Sequence, residues 1–223
     1  MTFLTSHVRA TAVLGAFSLA LALAGCSSDG ATPGTPSPSA PPAEQSAAAA
    51  PGAGQTLPAR WWSWAAAAPD AQSPVADGTG EFCALNQPDD VFFLAGTFGE
   101  TGVKRACTVP AGKPVYVPVV NKVCTVTHGQ PAATAIKACR IVDPTRVQAE
   151  VDGKPVAVEE AGSGGVFTLT AANGSAFADM AGDVVAWGIW AGPLRLSPGR
   201  HSLEIAADTM QFSVGVTYSL TVT

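Results

Sequence analysis

The chain has 223 residues, with 12 lysines and arginines against 17 aspartates and glutamates, so its formal net charge is −5. An acidic chain without a basic stripe lacks the electrostatic footprint of nucleic-acid binding and of adhesion to anionic lipid. We therefore expect neither activity, and no nucleic-acid partner.

The first 25 residues have the composition of an export signal. Arg9 precedes an apolar run at residues 10–22, which is too short to span a bilayer comfortably. The run ends in Leu-Ala-Gly-Cys, which resembles the lipobox of bacterial lipoproteins, in which the cysteine is acylated and becomes the new N-terminus. The alternative is an ordinary secretory signal that ends in cysteine by chance. Two acyl chains on Cys26 would hold the protein on the outer face of the cytoplasmic membrane.

Residues 26–57 consist almost wholly of Ser, Pro, Ala, Gly and Thr, with Asp29 and Glu44 as their charged residues. Such a segment buries too little apolar surface to offset the entropy lost on ordering. It therefore predicts a disordered tether that spans on the order of 30 Å. Residues 58–223 are long enough for one domain with a sizeable core.

The middle of the chain predicts three successive strands, at residues 91–95, up to residue 109, and at residues 114–120. Pro110 and Gly112 between the last two suit a type I turn, because proline presets φ at the first central position and glycine is favoured at the last. We therefore expect the second and third strands to form a hairpin.

The cysteines predict two disulfides. Of the five, Cys26 is assigned to lipid, and an even number of four remains in an exported chain. Among the three possible pairings we favour Cys83 with Cys107 and Cys124 with Cys139, because each closes a short loop and leaves the hairpin unthreaded. Each closure is worth roughly 3 kcal/mol in the chain-entropy model. A thiolate metal site is disfavoured, since the sequence has no CxxC spacing.

Residues 60–68, RWWSWAAAA, predict a short helix that Pro69 closes. In a helix, Trp61 and Trp64 share one face, which indicates an aromatic stripe that caps an open edge of the core. The competing interpretation is an aromatic platform on which sugars stack. Only Trp62 would point elsewhere, so packing is the favoured interpretation.

The second half of the chain predicts one helix and a series of strands. The helix covers Pro131 to Val142, before the Asp143-Pro144 pair, and Asp152-Gly153 is a strong turn signal for a hairpin. Strand patterns occur at residues 147–151, 155–158, 165–171, 183–189, 202–205 and 212–222, the last in strict alternation. Together the patterns predict an all-β fold, a β-sandwich of about six to nine short strands with one or two short helices.

Several motifs of this domain recur together. They are WWSW at residues 61–64, FLAGTFG at 93–99, the run from Arg105 to Cys124, the alanine-rich helix with Cys139, VDGKPV at 151–156, GIWAGPLRLSPGRHSL at 188–203 and VTYSLTV at 216–222. In combination they resemble a family of uncharacterised secreted or lipid-anchored bacterial proteins. The chain departs from that pattern at residues 187–190, where Trp-Gly-Ile-Trp replaces Asp-Gly-Tyr-Trp. The resemblance implies an extracytoplasmic domain and carries no activity with it.

Candidate catalytic groups are few. Two histidines follow Cys26: His128 lies in a polar loop, and His201 heads a strand just after a turn. The nearest approach to a nucleophile elbow is Ser163 in a glycine-rich loop, which lacks the strand-turn-helix context that such a serine needs.

Two further sites were weighed from side-chain chemistry. His201 and Met210 suggest a cupredoxin-type copper site, but that site needs a cysteine, and the cysteines are better used as disulfides. Glycoside hydrolysis needs a pair of carboxylates at a defined separation, whereas adjacent acids on a loop are usually solvated. The candidate acids are Asp89, Asp90, Glu159, Glu160 and Asp183.

We therefore expect a lipid-anchored, extracytoplasmic binding or structural module without a catalytic site, metal or cofactor. Its partner would be an envelope glycan or a protein, contacted through Trp61, Trp62, Trp187 and Trp190. The alternative is a hydrolase that acts on cell-envelope material through scattered carboxylates. The exposure of the indoles distinguishes ligand stacking from core packing, because the two predict opposite answers.

Overall fold

The computed structural model describes residues 54–141 and 143–223, so the predicted signal peptide, Cys26 and the tether up to residue 53 lie outside the described residues. The described part has ten strands in two five-stranded sheets and two short α-helices. The predicted all-β sandwich is therefore confirmed. The strand count exceeds the prediction because two of the ten strands are only two residues long.

The helices and strands have the following bounds. The helices are α1 (Leu57–Ala66) and α2 (Ala132–Cys139), with 3₁₀ turns at Asp70–Gln72 and Ala178–Met180. The strands are β1 (Phe92–Phe93), β2 (Val103–Val109), β3 (Val115–Thr125), β4 (Arg146–Val151), β5 (Lys154–Pro155), β6 (Val158–Gly162), β7 (Phe167–Leu169), β8 (Gly182–Leu194), β9 (Gly199–Asp208) and β10 (Ser213–Val222).

The two sheets have different strand orders. The first runs β1-β3-β8-β6, with β7 also paired to β8, and the second runs β2-β10-β9-β4-β5. β1 is parallel to β3 and β2 is parallel to β10, and the other pairs in the described residues are antiparallel. The tight Asp152-Gly153 turn joins β4 to β5 as predicted, with both residues at positive φ.

The predicted hairpin of the second and third strands is wrong, because β2 and β3 belong to different sheets. β2 alternates between buried and exposed residues and covers one face of the core, whereas β3 is buried without a break from Val115 to Val120. A strand buried on both faces belongs between two layers. The turn at residues 110–113 takes the chain from the second sheet to the first. In this turn the Lys113 amide donates to the Pro110 carbonyl at 3.2 Å, and Gly112 has a φ of +79°. The predicted type I turn is therefore wrong: Pro110 is the first of the four turn residues and not a central one, and the positive φ of Gly112 at the second central position is that of a type II turn.

Two buried clusters organise the interior. The larger one joins the two sheets through residues such as Val117, Leu203 and Tyr218. The second joins the first sheet to α1 and to the loop that carries Phe177, with Trp190 at its centre. The first sheet is therefore covered on both faces. α1 packs against one face of this sheet, whereas the sequence analysis expected it to cover an open edge of the core.

Both predicted disulfides are present. Cys83 pairs with Cys107, with the Cα atoms 6.1 Å apart, and Cys124 pairs with Cys139, with the Cα atoms 5.8 Å apart. Disulfides persist in oxidising compartments, so the two bonds indicate an extracytoplasmic environment. Within the described ranges, no helix has the length and apolar character that crossing a membrane requires.

Three local predictions differ from the structure. The strand predicted at residues 155–158 is divided, since Lys154–Pro155 form β5 in the second sheet and Val158 begins β6 in the first. α2 ends at Cys139, since Arg140 already has extended backbone and Cys139 is held against β3 by its disulfide. Glu159 and Glu160 lie in β6, where they pair with β8, and not in a loop. Pairing with a long central strand decides the conformation of this segment over its polar sequence.

Candidate functional site

The four tryptophans proposed as contact residues are all buried. Their exposed fractions are 1% for Trp61, 7% for Trp62, 3% for Trp187 and 1% for Trp190. An open stacking platform needs an exposed ring face, so these four indoles do not form one, and ligand contact by Trp61 and Trp62 stays a prediction. The rings pack on one another instead: Trp61 meets Trp62 edge to face at 5.0 Å and Trp190 at 5.7 Å.

One indole differs from the rest in its hydrogen bonding. A buried indole N–H normally has an acceptor. Trp61 donates to the Leu94 carbonyl, Trp64 to the Leu85 carbonyl, Trp187 to the Glu160 carboxylate and Trp190 to the Ala161 carbonyl, at 2.8, 2.8, 2.8 and 3.1 Å. The Nε1 of Trp62 is buried and has no partner among the described residues.

Trp62 lines a recess that we call the aromatic cavity. Its walls are Trp61, Trp62, Val75, Gly96, Thr97, Phe98, Asn121, Phe177 and Phe212. The cavity volume is about 180 Å³. Phe98, at the rim, is 50% exposed and lies 5.5 Å from Phe177, which in turn meets Trp62 edge to face at 5.5 Å.

Asn121 lines the same cavity and has a second unpaired donor. It is the polar residue of an otherwise apolar stretch of β3, and its Nδ2 is buried without a partner in the described residues. It lies opposite Gly188 of β8. A Cβ at Gly188 would come within 2.8 Å of the Asn121 Cβ and 2.7 Å of the Trp190 Nε1. Glycine at this position therefore makes room for the asparagine.

A buried arginine holds the segments that form one wall. Arg105 of β2 is 3% exposed and donates to the carbonyls of Val75, Asp77, Ala95 and Gly96 and to the Tyr218 hydroxyl, at 2.6 to 2.9 Å. A buried charge is tolerated when hydrogen bonds surround it. Two of these carbonyls, of Val75 and Gly96, belong to residues that line the aromatic cavity.

Tyr218 and Asp77 complete this support. The Tyr218 hydroxyl donates to the Ala95 carbonyl at 2.8 Å, and burial raises the pKa of the phenol against the influence of Arg105. Burial alone would raise the pKa of Asp77, but hydrogen bonds from the Phe82 and Thr79 amides and the Thr79 hydroxyl together lower it. The Asp77 carboxylate therefore stays charged, and its hydrogen bonds fix the loop whose carbonyl groups accept from Arg105.

The candidate acids are held apart by separate partners. Asp90 pairs with Arg60, which lowers the pKa of its carboxyl group. Glu160 accepts from Trp187 and pairs with Arg140, and Asp183 accepts from Thr168 at 3.1 Å. Glu159 lines a cleft with Tyr116 and Trp190, whereas His201 lines a different cleft with Asp152. The geometry does not favour a hydrolase built from them.

His201 forms a hydrogen-bonded pair with a different acid. Its Nδ1 lies 2.8 Å from Asp152 Oδ2, and its Nε2 lies 2.9 Å from the Ser197 carbonyl oxygen and 3.4 Å from the Ser197 hydroxyl. Both ring nitrogens can donate at once only in the protonated ring. The hydrogen bonds to Asp152 and Ser197 raise the pKa of His201 in accordance with this. The Nε2 lies closer to the Ser197 carbonyl oxygen than to the Ser197 hydroxyl, so the imidazole is not positioned as the base of that serine.

The remaining candidates have structural surroundings. The Ser163 hydroxyl donates to the Gly165 carbonyl at 2.6 Å and accepts from the Ala186 amide at 3.0 Å. Met210 is 91% exposed, and His128 is exposed in a loop. Among residues 54–141 and 143–223, no group of three or more His, Cys, Asp or Glu side chains is placed to hold a metal ion.

Sequence reasoning missed most of the aromatic cavity. Asn121 carried a signal, because it interrupts the apolar run of β3, and Phe98 lies in the FLAGTFG motif. Phe177 and Phe212 gave no sequence signal that they line the cavity, since each lies in a loop far along the chain. No family model, curated protein or solved structure matched this chain in the comparisons. The family resemblance described above stays a prediction.

Proposed function

We propose that this chain is a lipid-anchored, extracytoplasmic binding module whose ligand site is the aromatic cavity. The observation that carries the proposal is the aromatic cavity itself, a recess of about 180 Å³ with five aromatic residues in its wall.

The shape of the site also supports ligand binding. Small-molecule sites are concave and mostly apolar, with a few polar groups that orient the ligand. The aromatic cavity has five aromatic residues in its wall, and Thr97 and Asn121 are its polar residues. Phe98 keeps half of its surface in water at the rim, where a ligand would cover it.

The anchored location rests on the sequence, supported by the oxidised cysteines. Both disulfides suit an oxidising compartment, and Cys26 follows the apolar run in the lipobox position. A tether of about thirty residues would let the module reach on the order of 30 Å from the membrane. Envelope components are therefore the ligands within its reach.

A thermal-unfolding screen tests the binding function. The protein is heated with single envelope sugars, peptides and ring-containing metabolites, since a ligand at a hundred times its Kd adds about 2.7 kcal/mol to the free energy of unfolding. We expect at least one ligand to raise the Tm. Phe98→Ser should weaken that ligand at least several-fold, because it removes a rim contact without opening the core.

Val166→Ser is the matched control. Val166 is also an exposed apolar residue, at 42%, and it does not line the aromatic cavity. Its substitution should leave the ligand's Kd unchanged. A screen in which no compound shifts the Tm, or a ligand that Phe98→Ser binds as tightly as the wild type, would contradict the proposal.

A further inference from the structure

A second cleft lies beside the start of α1, and we call it the Tyr116 cleft. Its wall includes residues 56–58, Tyr116 of β3, Glu159 and Ala161 of β6, and Trp190 and Pro193 of β8. The cleft has a volume of about 270 Å³. None of the residues in its wall also lines the aromatic cavity, so the two sites are separate.

The first sheet brings the functional groups of this cleft to one face. Glu159 is the cross-strand partner of Trp190, and partners of this kind project to the same side of a sheet. The Tyr116 ring stacks on the Trp190 ring, with the centroids 5.0 Å apart and the planes 10° apart. The regular pairing of β3 with β8 is interrupted at Tyr116, and such bulges re-aim side chains.

Tyr116 is a buried residue whose hydroxyl is unused. The residue is 4% exposed, and its hydroxyl forms no hydrogen bond with the described residues. The fully buried polar atoms without a partner in this part of the chain belong to Arg60, Trp62 and Asn121, so the Tyr116 oxygen keeps accessible surface. Burial raises the pKa of the phenol, and the charge of Glu159 raises it further. The hydroxyl is therefore neutral and has lone pairs to offer.

Glu159 is an unpaired carboxylate near this hydroxyl. The ion pairs among the described residues engage Asp90, Asp152 and Glu160, and none of them includes Glu159. No residue of the cleft wall is cationic. The predicted tether has no cation to offer either, because residues 26–57 contain no lysine, arginine or histidine. A cation that pairs with Glu159 in this cleft would therefore come from another molecule.

These two groups suit an ammonium group. An ammonium has three donors and no acceptor, so it can donate to the Glu159 carboxylate and to the Tyr116 oxygen at the same time. A ligand hydroxyl could form the same hydrogen bonds but would gain no ion pair, and Glu159 would repel a ligand carboxylate. The wall also has apolar residues, among them Leu57 and Pro193, which suit a carbon stem next to the charge.

We propose that the Tyr116 cleft binds the primary ammonium group of an organic amine, with Glu159 and the Tyr116 hydroxyl as its acceptors. The apolar wall contacts the carbon stem of the amine. This site goes beyond the proposed function, since neither site needs the other to be occupied.

Four probes test the ligand class. They are benzylamine, benzyl alcohol of nearly the same shape without the charge, phenylacetate of opposite charge, and Nα-acetyl-lysine methylamide, whose ammonium is that of a peptide side chain. Ligand-observed NMR near neutral pH measures binding to the chain from residue 26 onward with Cys26→Ser, secreted so that its disulfides form. We expect benzylamine to bind about fivefold or more tightly than benzyl alcohol, because charged hydrogen bonds are roughly twice as strong as neutral ones.

Salt and the two remaining probes extend this test. Added NaCl should reduce the preference for benzylamine, since it screens an ion pair at the surface. Phenylacetate should bind most weakly. The lysine derivative identifies the source of the amine: affinity equal to that of benzylamine or higher indicates a peptide side chain, and lower affinity indicates a free amine.

Glu159→Gln tests the carboxylate, because it keeps the size of the side chain and removes its charge. The preference for benzylamine over benzyl alcohol should disappear in this variant. Glu160→Gln is the matched control: it changes the net charge equally at the adjacent residue, which engages Arg140 and Trp187 and does not line the cleft. Its preference should equal that of the wild type. A ratio of two Kd values is not altered by a small general loss of stability.

Tyr116→Phe tests the second acceptor. It should weaken benzylamine several-fold, because the ammonium loses one hydrogen bond. The Tm of the ligand-free protein should change little, since the hydroxyl has no partner in the described residues. A role in packing alone would give the opposite pattern, a lower Tm with unchanged affinity.

Several outcomes would overturn the assignment. They are the absence of benzylamine binding, equal affinity of the wild type for benzylamine and benzyl alcohol, a preference that survives Glu159→Gln, and an equal loss of preference in Glu160→Gln. Unchanged benzylamine affinity in Tyr116→Phe would overturn the part assigned to the hydroxyl. None of these results bears on the aromatic cavity, which the screen with Phe98→Ser decides. Phe98→Ser should leave the Kd of benzylamine unchanged.

Discussion

At the residue scale, the wall of the aromatic cavity depends on Arg105. The alternation of β2 puts this residue on the same face as Cys107 and Val109, so a charge points into the core. Four of its five hydrogen bonds reach two loop segments that come before it in the chain, around Val75 and Gly96, and the fifth reaches Tyr218 of β10. Arg105 thereby fixes the position of one cavity wall.

We expect Arg105→Met to lower the free energy of unfolding by about 3 kcal/mol or more, because several buried carbonyls lose a charged donor. Urea denaturation of the oxidised protein measures the change. Lys104→Met on the same strand is the control. Lys104 is exposed, so this substitution should change stability by no more than about 0.5 kcal/mol. Equal effects of the two substitutions would show that the Arg105 hydrogen bonds add nothing to stability.

Side-chain roles were predictable only where the local sequence decides them. The pairing of the cysteines followed from loop length, and the packing of Trp61 and Trp64 followed from helix periodicity. The free N–H of Trp62 could not be predicted, because the acceptor of an indole lies on a distant segment, such as Leu85 for Trp64 and Leu94 for Trp61. No spacing in the sequence reports which of three neighbouring indoles lacks one.

At the scale of elements, the hydrogen-bonded pair of Asp152 and His201 connects the β4–β5 turn to the start of β9. Asp152, in the turn, accepts from His201 at 2.8 Å and from the Ser202 amide at 2.8 Å. The hydrogen bonds to Asp152 and to the Ser197 carbonyl raise the pKa of His201 above 6.5. The hydrogen bonds from His201 and Ser202 lower the pKa of Asp152 below 3.8.

This pair predicts a pH window of extra stability. A raised histidine pKa adds stability that is complete below about pH 6.5 and disappears as the pH rises through the folded-state pKa. A lowered aspartate pKa adds stability that is complete above about pH 3.8 and disappears as the pH falls. The stability lost in Asp152→Asn should therefore be larger near pH 5 than near pH 9, as measured by urea unfolding. Glu204→Gln on β9 is the control. A loss for Asp152→Asn that does not change with pH would contradict the predicted ion pair.

Strand patterns were easier to predict than strand partners. The strict alternation of β10 and the Asp152-Gly153 turn appear as predicted, because period and turn chemistry are local. Sheet membership is not local: β2 lies beside β10, the last strand of the chain, and not beside β3. The unbroken burial of β3 could have indicated a strand between two layers, whereas the parallel pairing of β2 with β10 has no sequence signature.

At the scale of the whole molecule, the proposed binding module and the proposed membrane anchor should be separable. Two sheets and two disulfides hold the described domain together, whereas the proposed anchor would depend on Cys26 and the predicted tether. Each buried CH₂ of an acyl chain adds about 0.8 kcal/mol of membrane affinity, and a single chain gives only marginal binding. A doubly acylated Cys26 would therefore account for stable attachment without any membrane contact by the module.

We expect Cys26→Ser to move the protein from the membrane fraction to the soluble fraction, since no acyl chain can then be attached. Fractionation of cells followed by blotting measures the distribution, and mass spectrometry of the wild-type N-terminal peptide detects the acyl groups. Ser27→Ala is the control, because it alters the neighbouring residue and keeps the thiol. The purified Cys26→Ser chain should bind the module's ligand with the affinity of the wild type. A wild-type chain that is soluble and carries no lipid would contradict the anchor and leave the aromatic cavity as the part of the proposal still to be judged by its own binding data.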